Sequence, residues 1–260
     1  MQDSNKIEER QRKITQIRRK RRLRLFLSFL FLAAVILLAI TLYNSSFFKV
    51  KEIKVTGNDY FKAKEIIALA GIQKDVKLFT FPVNKVRRRL NGQSRIKDAK
   101  IIRKFPDRIV IKVLERQPIA LVSLKDAYTL IDEDSVVLDY VDNPDTFNLP
   151  VIKELKINRL PRGKRVETQS LSNALKCLTN LDPSIKSVLS IVSAPSVDKL
   201  TLFTNEGVEI LYGEAKDVNQ KNYVLRKILS QNEKDVIFID VRAVSNPVIK
   251  RLKPEPKPSD

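Results

Sequence analysis

Histidine and tryptophan are absent from the 260 residues, and there is one cysteine, one methionine and only six glycines. Without histidine the chain lacks the side chain most used for proton transfer near neutral pH, and an ordinary Ser-His-Asp triad is excluded. A Ser-Lys pair stays open. A lone Cys177 closes no intramolecular disulfide, and in the run Leu175-Lys176-Cys177-Leu178 it reads as a small buried hydrophobe. No Cys/His set exists to hold zinc. The glycines, at 57, 71, 92, 163, 207 and 213, build neither a phosphate-cradling loop nor a dinucleotide fingerprint. Asp132-Glu133-Asp134-Ser135 is the densest run of carboxylates, but it lacks calcium-loop spacing and the required glycine, so it reads as a solvated hairpin tip. Asp107 and Glu115 suit turn and strand-surface roles better than acid/base work. Nothing here asks for a metal or a cofactor, and the expectation is a chain that is not an enzyme.

What is present is positive charge and one long apolar run. Lys+Arg number 49 against 30 Asp+Glu, a net charge of +19 that draws the chain toward anionic surfaces without dictating a fold. Residues 1–24 form a basic tail ending in Arg18-Arg19-Lys20-Arg21-Arg22-Leu23-Arg24. Residues 25–43 follow without a charge, with Ser28 and Thr41 as interruptions. That length matches the roughly 20 residues needed to cross hydrocarbon as a helix. Basic flanks stay cytoplasmic, which predicts an N-terminus inside and a C-terminus outside. Tyr43, Phe47 and Phe48 stand where interfacial aromatics are expected. The apolar run is longer than a signal-peptide core and no small-x-small site follows it, so an uncleaved anchor is the reading. Beside a membrane helix, topology and attraction to anionic lipid explain the basic tail better than nucleic acid does.

Beyond the anchor the pattern is mixed. Val50–Val55 reads as a strand closed by Gly57-Asn58, and Lys62–Ala70 as a helix stopped by Gly71, though Phe61 and Lys62 make a poor N-cap. Pro82 opens a second helix with Val83, Val86 and Leu90 on one side. Arg87-Arg88-Arg89 fan over about 200° of it and read as a solvated face, with an anionic-surface contact as the rival. Strands are expected over Lys100–Phe105 and Arg108–Glu115, around the turn pair Pro106-Asp107. From Gln117 short strands dominate: 119–124, 128–131, 136–140, 188–193, 199–204 and 208–212, with 149–152 leaving a polar loop at 142–148. Two helices interrupt them, Thr168–Leu181, ended by Asp182-Pro183, and Asp217–Leu229, with Val218, Tyr223, Val224, Ile228 and Leu229 apolar. A last apolar strand begins at Val236. The Pro-alternating end from Lys253 cannot pack.

Two stretches then become specific. Phe48-Lys49-Val50-Lys51-Glu52-Ile53-Lys54-Val55-Thr56-Gly57-Asn58 resembles the opening of a POTRA domain. The run from Ile96 to Ala120, with Arg103, Phe105, Pro106, Glu115 and Pro118 in place, resembles the corresponding run of the FtsQ/DivIB family of bacterial cell-division proteins. Leu149-Pro150-Val151-Ile152 and Ile237-Phe238-Ile239-Asp240-Val241-Arg242 are similar to two later family segments. There are departures: the family's tryptophans are missing, its Asp-x-x-Gly tip reads Asp132-Glu133-Asp134-Ser135, and Ala243 replaces an aromatic.

The resemblance implies an α+β architecture: a basic cytoplasmic tail (1–24), a transmembrane helix (25–43), a β-α-α-β-β POTRA domain (47–117), a β-rich domain with two helices (118–252) and a flexible tail (253–260). It implies a bitopic protein of the plasma membrane at the division septum, which regulates septal peptidoglycan synthesis by binding FtsB-like and FtsL-like coiled-coil proteins. FtsK-like proteins and the septal synthase are further implied partners. The stretch Val236–Val248 is expected at a sheet edge, where a partner adds a strand. The residues picked for that surface are Ile239, Asp240, Val241, Arg242, Ala243, Val244, Ser245 and Val248, with Tyr223 and Arg226 on the neighbouring helix. Ile239 and Val241 are equally candidates for core, since alternate strand residues face opposite sides. Val55, Gly57 and Asn58 are expected to shape the POTRA turn. A polypeptide-transport component and a membrane-anchored wall enzyme are the rival classes.

Overall fold

The computed structural model describes residues 22, 24–43, 45–72, 76–125, 127–230 and 235–252. The tail expected at 253–260 lies outside these, as does that expected at 1–24 apart from residues 22 and 24. The apolar run forms α1 (Arg24–Tyr43), long and apolar enough to cross a membrane, with its side chains exposed along its length. Its two aliphatic hydroxyls turn back on the helix: Ser28 Oγ donates to Arg24 O (2.9 Å) and Thr41 Oγ1 to Leu38 O (2.8 Å). Between its end residues, Arg24 and Tyr43, no side-chain polar group is therefore left without a partner, as a lipid environment demands.

After α1 come β1 (Glu52–Thr56), α2 (Ala63–Ala70), α3 (Val83–Asn91), β2 (Ile96–Lys104) and β3 (Arg108–Glu115), with the strands side by side in the order β1-β3-β2. This is the expected β-α-α-β-β arrangement. β2 begins earlier than expected: Ile96 and Ala99 are buried, but the intervening Lys97 and Asp98 interrupt any apolar alternation in the sequence. Phe105 falls in the turn, before a cis bond to Pro106. α2 starts better than its sequence promised. Glu65 accepts from the backbone N–H of its N-cap, Lys62 (2.7 Å), and Gly71 ends the helix at φ 59°.

The remainder builds β4 (Pro118–Leu124), β5 (Ala127–Asp132), β6 (Val137–Val141), β7 (Val151–Lys153), α4 (Gln169–Asn180), α5 (Pro183–Lys186), β8 (Leu189–Ser193), β9 (Thr201–Thr204), β10 (Glu209–Leu211), α6 (Val218–Leu229), β11 (Val236–Asp240) and β12 (Val248–Arg251). The nine strands lie in the order β12-β11-β10-β9-β8-β7-β4-β5-β6. β7 runs parallel to both of its neighbours, β4 and β8, and β10 runs parallel to β11; the other pairs are antiparallel. Leu171, Ala174, Leu175, Cys177 and Leu178 of α4 pack with Leu225 and Ile228 of α6 into one core with Ile152, Val192, Leu202, Ile210 and Ile239.

Several expectations are corrected. A third helix, α5, follows α4: Asp182 does not merely end one helix but caps the next, accepting from Ser184 N–H (2.9 Å). On α6, Lys221 and Leu225 are buried while Tyr223 is 60% exposed. Burial of Lys221 is tolerated because its Nζ donates to the carbonyls of Tyr212 and Glu214, each at 2.7 Å. The stretch from Val236 to Val248 is not one strand at an edge. The chain turns after Asp240, returns as β12, and covers β11, so β12 is the edge.

The carboxylate tip is not simply solvated. Asp132 is buried and receives Arg116 Nη1 at 2.5 Å, while its Oδ1 accepts from the N–H groups of Asp134 (3.0 Å) and Val136 (2.8 Å). Lys97 reaches Glu133 and Asp134 at 3.0 and 2.9 Å. Glu115 likewise departs from the strand-surface role: it is buried and accepts three backbone N–H bonds, from Asp59, Tyr60 and Phe61. Arg89 is not a plain solvated side chain either, since its Nη1 donates to the carbonyls of Ala70 (3.2 Å) and Gly71 (3.0 Å). A side chain on Gly71 would put its Cβ 2.1 Å from that nitrogen.

Candidate interaction site at the open sheet edge

A sheet edge leaves a row of backbone donors and acceptors that must be satisfied or left in water. The two edges of the nine-stranded sheet are treated differently. At β6, the chain from 160 to 166 lies alongside. Gly163 N–H donates to Val137 O (2.8 Å), Val137 N–H to Lys164 O (3.0 Å) and Val166 N–H to Ser135 O (2.8 Å), and Tyr140 Oη donates to Leu160 O (2.8 Å). At β12 no described strand lies beyond, and all four of its residues are exposed. Leu252 N–H bonds back to Asp235 O at 2.7 Å. Counting back along the strand, alternation turns the N–H of Ile249 outward.

The residues picked from the sequence divide in two. Ile239 and Val241 are fully buried in the core and present no side chain to a partner; this corrects their place in the docking surface. The cause is β12: with a strand on either side of β11, its alternate residues face the α4/α6 layer. Asp240 and Arg242 are occupied with each other. Arg242 Nη2 reaches Asp240 Oδ2 at 2.7 Å, and Arg242 N–H donates to Oδ1 at 3.0 Å. The Arg242 hydrogen bond outweighs partial burial and holds the Asp240 carboxyl below the usual carboxylate range; the same contact raises Arg242. The stem of Arg242 also lies over Gly213, where a Cβ would meet its Cγ at 3.1 Å. This pair, half-buried at Asp240 and exposed at Arg242, locks the turn that sends the chain from β11 into β12.

Beyond that turn the structure brings Val244 and Ser245 beside Asn219, Gln220, Tyr223 and Val224 of α6, around a shallow groove of about 430 Å³. Tyr223 thus belongs with Val244 and Ser245. Ala243 is exposed in the same turn, and Val248 is 48% exposed on β12. Arg226 does not line the groove; it faces Asp182 at 3.5 Å, the cap of α5. Sequence reasoning missed Ile249 and Leu252, which extend the exposed apolar edge. Pro247, immediately before β12, was the available signal, since proline lacks the N–H that a central ladder needs and suits an edge or a strand end.

The POTRA-motif residues make contacts within the fold. Gly57, at φ 78°, would place a Cβ 2.2 Å from Val113 O, so no other residue fits. Val55 is half-buried on β1 and Asn58 Nδ2 donates to Phe61 O (2.9 Å). Arg103 Nη2 donates to Phe81 O (2.8 Å), Pro118 opens β4 opposite Asp132, and Phe105 is left exposed. Among the described residues no group of three His, Cys, Asp or Glu is placed to hold a metal ion.

Residues 48–116 match the family described as POTRA domain, FtsQ-type, and residues 120–242 match that described as Cell division protein FtsQ/DivIB, C-terminal. The chain is 32% identical over 203 residues to the Cell division protein FtsQ of Syntrophotalea carbinolica, covering 76% of this chain and 71% of that one. It is 30% identical over 199 residues to the Cell division protein DivIB of Brevibacillus brevis, covering 74% and 71%. With the Cell division protein DivIB of Bacillus subtilis it shares 27% identity over 239 residues, covering 90% and 88%.

Proposed function

The chain belongs to the FtsQ/DivIB family of cell division proteins, and from that membership we propose that it is a non-enzymatic scaffold of the divisome that captures partners at the open edge of its nine-stranded sheet. α1 tethers it in the plasma membrane at the septum as a single pass, the N-terminus inside and the folded part outside. A segment of an FtsB-like or FtsL-like bitopic coiled-coil protein adds as a strand along β12, and its flanking helix or turn lays an apolar side chain against Tyr223, Val244 and Ser245. The POTRA part is a docking and localisation unit for FtsK-like proteins, and the assembly regulates the septal peptidoglycan synthase through contact.

The observation that carries this reading is the asymmetry of the two sheet edges: one closed by 160–166, the other bare beside an apolar groove. Main-chain ladder bonds supply affinity in strand addition, and side-chain pockets supply choice of partner. The test is co-purification of the coiled-coil partner with full-length chain carrying Ile249→Pro, which removes an outward donor while the inward ladder to β11 is kept. Capture is expected to fall at least tenfold, as loss of about 1.4 kcal/mol or more implies. Undiminished capture by a folded Ile249→Pro chain sinks the edge reading. Purified chain incubated with labelled peptidoglycan is expected to turn over none of it.

A further inference from the structure

Tyr43 is the last residue of α1, and its ring lies stacked on Phe79 with centroids 6.0 Å apart. Phe79 in turn meets Phe48 at 4.9 Å and Phe105 at 5.5 Å, and Phe47 meets Phe48 edge-on at 5.2 Å. Rings from four separate places join here: the end of α1, the single turn Ser46–Phe48, the segment after Lys77 and the β2–β3 turn. The backbone fastens them together. Leu78 N–H donates to Phe48 O (2.8 Å), Val50 N–H to Val76 O (3.0 Å) and Lys51 N–H to Asp107 O (2.8 Å).

This cluster is not a core. Phe47 is 58% exposed and Phe105 64%, and Tyr43 and Phe79 are exposed as well. Ring-on-ring contact leaves the outer faces of these rings uncovered, which is unfavourable in water. Contiguous exposed apolar surface of this kind marks a contact site.

Position and charge identify what covers it. The patch is continuous with the end of the apolar helix, the depth at which hydrocarbon gives way to headgroups and where amphipathic aromatics concentrate. Lys77 Nζ lies 5.3 Å above the Tyr43 ring, Lys49 follows Phe48, and the exposed Lys104 precedes Phe105. Among the described residues, Glu52 pairs with Arg108 at 2.7 Å and Asp107 with Lys51 at 3.5 Å. A ring surface with a lysine rim matches a layer of anionic headgroups, since the stems lie along apolar surface while the ammonium groups reach phosphate.

We propose that Phe47, Phe79 and Phe105, rimmed by Lys49, Lys77 and Lys104, sit in the anionic headgroup layer of the bilayer that α1 crosses. The base of the folded part then rests on the membrane and is oriented by it. This inference depends on α1 as a membrane span and is independent of any partner at β12.

The chain has no tryptophan, so one introduced indole reports alone. Full-length chain carrying Phe105→Trp or Phe47→Trp is reconstituted into phosphatidylcholine vesicles with or without phosphatidylglycerol, a fraction of the lipid brominated on its acyl chains. Tyr223→Trp, on α6, is the water-exposed reference, and Phe31→Trp, within α1, reports the span. In anionic vesicles both patch variants are expected to be quenched by brominated lipid several-fold more than the reference and to be shielded from iodide. Adding Lys49→Glu and Lys104→Glu is expected to reverse much of that shielding. Quenching at Phe105→Trp no greater than at Tyr223→Trp, with Phe31→Trp quenched, overturns the proposal. Shielding from iodide without lipid quenching means a protein segment covers the patch and overturns it as well. Equal quenching in phosphatidylcholine alone overturns the assignment to anionic headgroups. Loss of quenching at Phe31→Trp instead refutes the membrane span itself.

Discussion

Glu115→Gln tests how much of the POTRA part hangs on one side chain. The Glu115 carboxylate is 6% exposed and accepts the N–H groups of Asp59 (3.0 Å), Tyr60 (2.5 Å) and Phe61 (3.1 Å), the segment that leads into α2. A hydrogen bond to a charged acceptor contributes about 1.5–3 kcal/mol taken singly. Three bonds to one carboxylate are not additive, because they share one acceptor charge and one piece of backbone. Gln keeps a single oxygen and turns an NH₂ toward donors, so the loss should be about 2–4 kcal/mol. Ala leaves all three donors without an acceptor, and about 3–5 kcal/mol is expected. The comparison is Glu52→Gln, which removes an exposed ion pair with Arg108 worth about 0–1 kcal/mol. Urea unfolding of the detergent-solubilised full chain, followed by circular dichroism, supplies both values. If Glu115→Gln falls within about 0.5 kcal/mol of Glu52→Gln at unchanged slope, the idea that this carboxylate organises the entry to α2 is wrong.

Three further outcomes follow from other sites. Hydrogen bonds to Asp134 and Glu133 raise Lys97 above its ordinary 10.5, and the bond from Lys97 holds Asp134 below its ordinary 3.8. The Lys97 contribution is full below 10.5 and fades as pH rises through its higher folded value; the Asp134 contribution is full above 3.8 and fades as pH falls through its lower folded value. Unfolding free energy should therefore plateau between those limits, and Lys97→Met should flatten both flanks; an unchanged pH profile contradicts the pairing. Burial pushes the Cys177 thiol up to about 12, so a thiol reagent at mildly alkaline pH should label it only as the chain unfolds. Rapid stoichiometric labelling of native protein would count against its place in the core. Val241→Asp places a charge at a fully buried position and should cost more than about 3 kcal/mol, whereas Val248→Asp on β12 should stay within about 1 kcal/mol. Equal losses would mean that β11 and β12 have been assigned the wrong roles.

The expectations that held were those with a local cause. A charge-free run of membrane length becomes α1 because nothing else satisfies its backbone in lipid. Gly71 ends α2 because the left-handed stop needs a residue without a Cβ. Leu171, Ala174, Leu175 and Leu178 face the core because their spacing puts them on one side of a helix. Where a second part of the chain had to arrive, the sequence misled. Lys221 reads as polar surface until the carbonyls of Tyr212 and Glu214 close on it. Asp132 reads as a solvated tip until Arg116 enters. Ile239 and Val241 read as either docking residues or core until β12 folds back over β11.

The same division runs through the candidate sites. Composition and periodicity by themselves determined that this chain has a membrane-length helix, an α+β body and no histidine chemistry, because residue type and spacing act over a single turn or strand. Which strand ends the sheet, which edge is covered by 160–166, and which aromatics gather beside Tyr43 were decided only in three dimensions. Edges and patches are defined by what is missing next to them, and a neighbour's absence is written nowhere along the chain until every other segment has been placed.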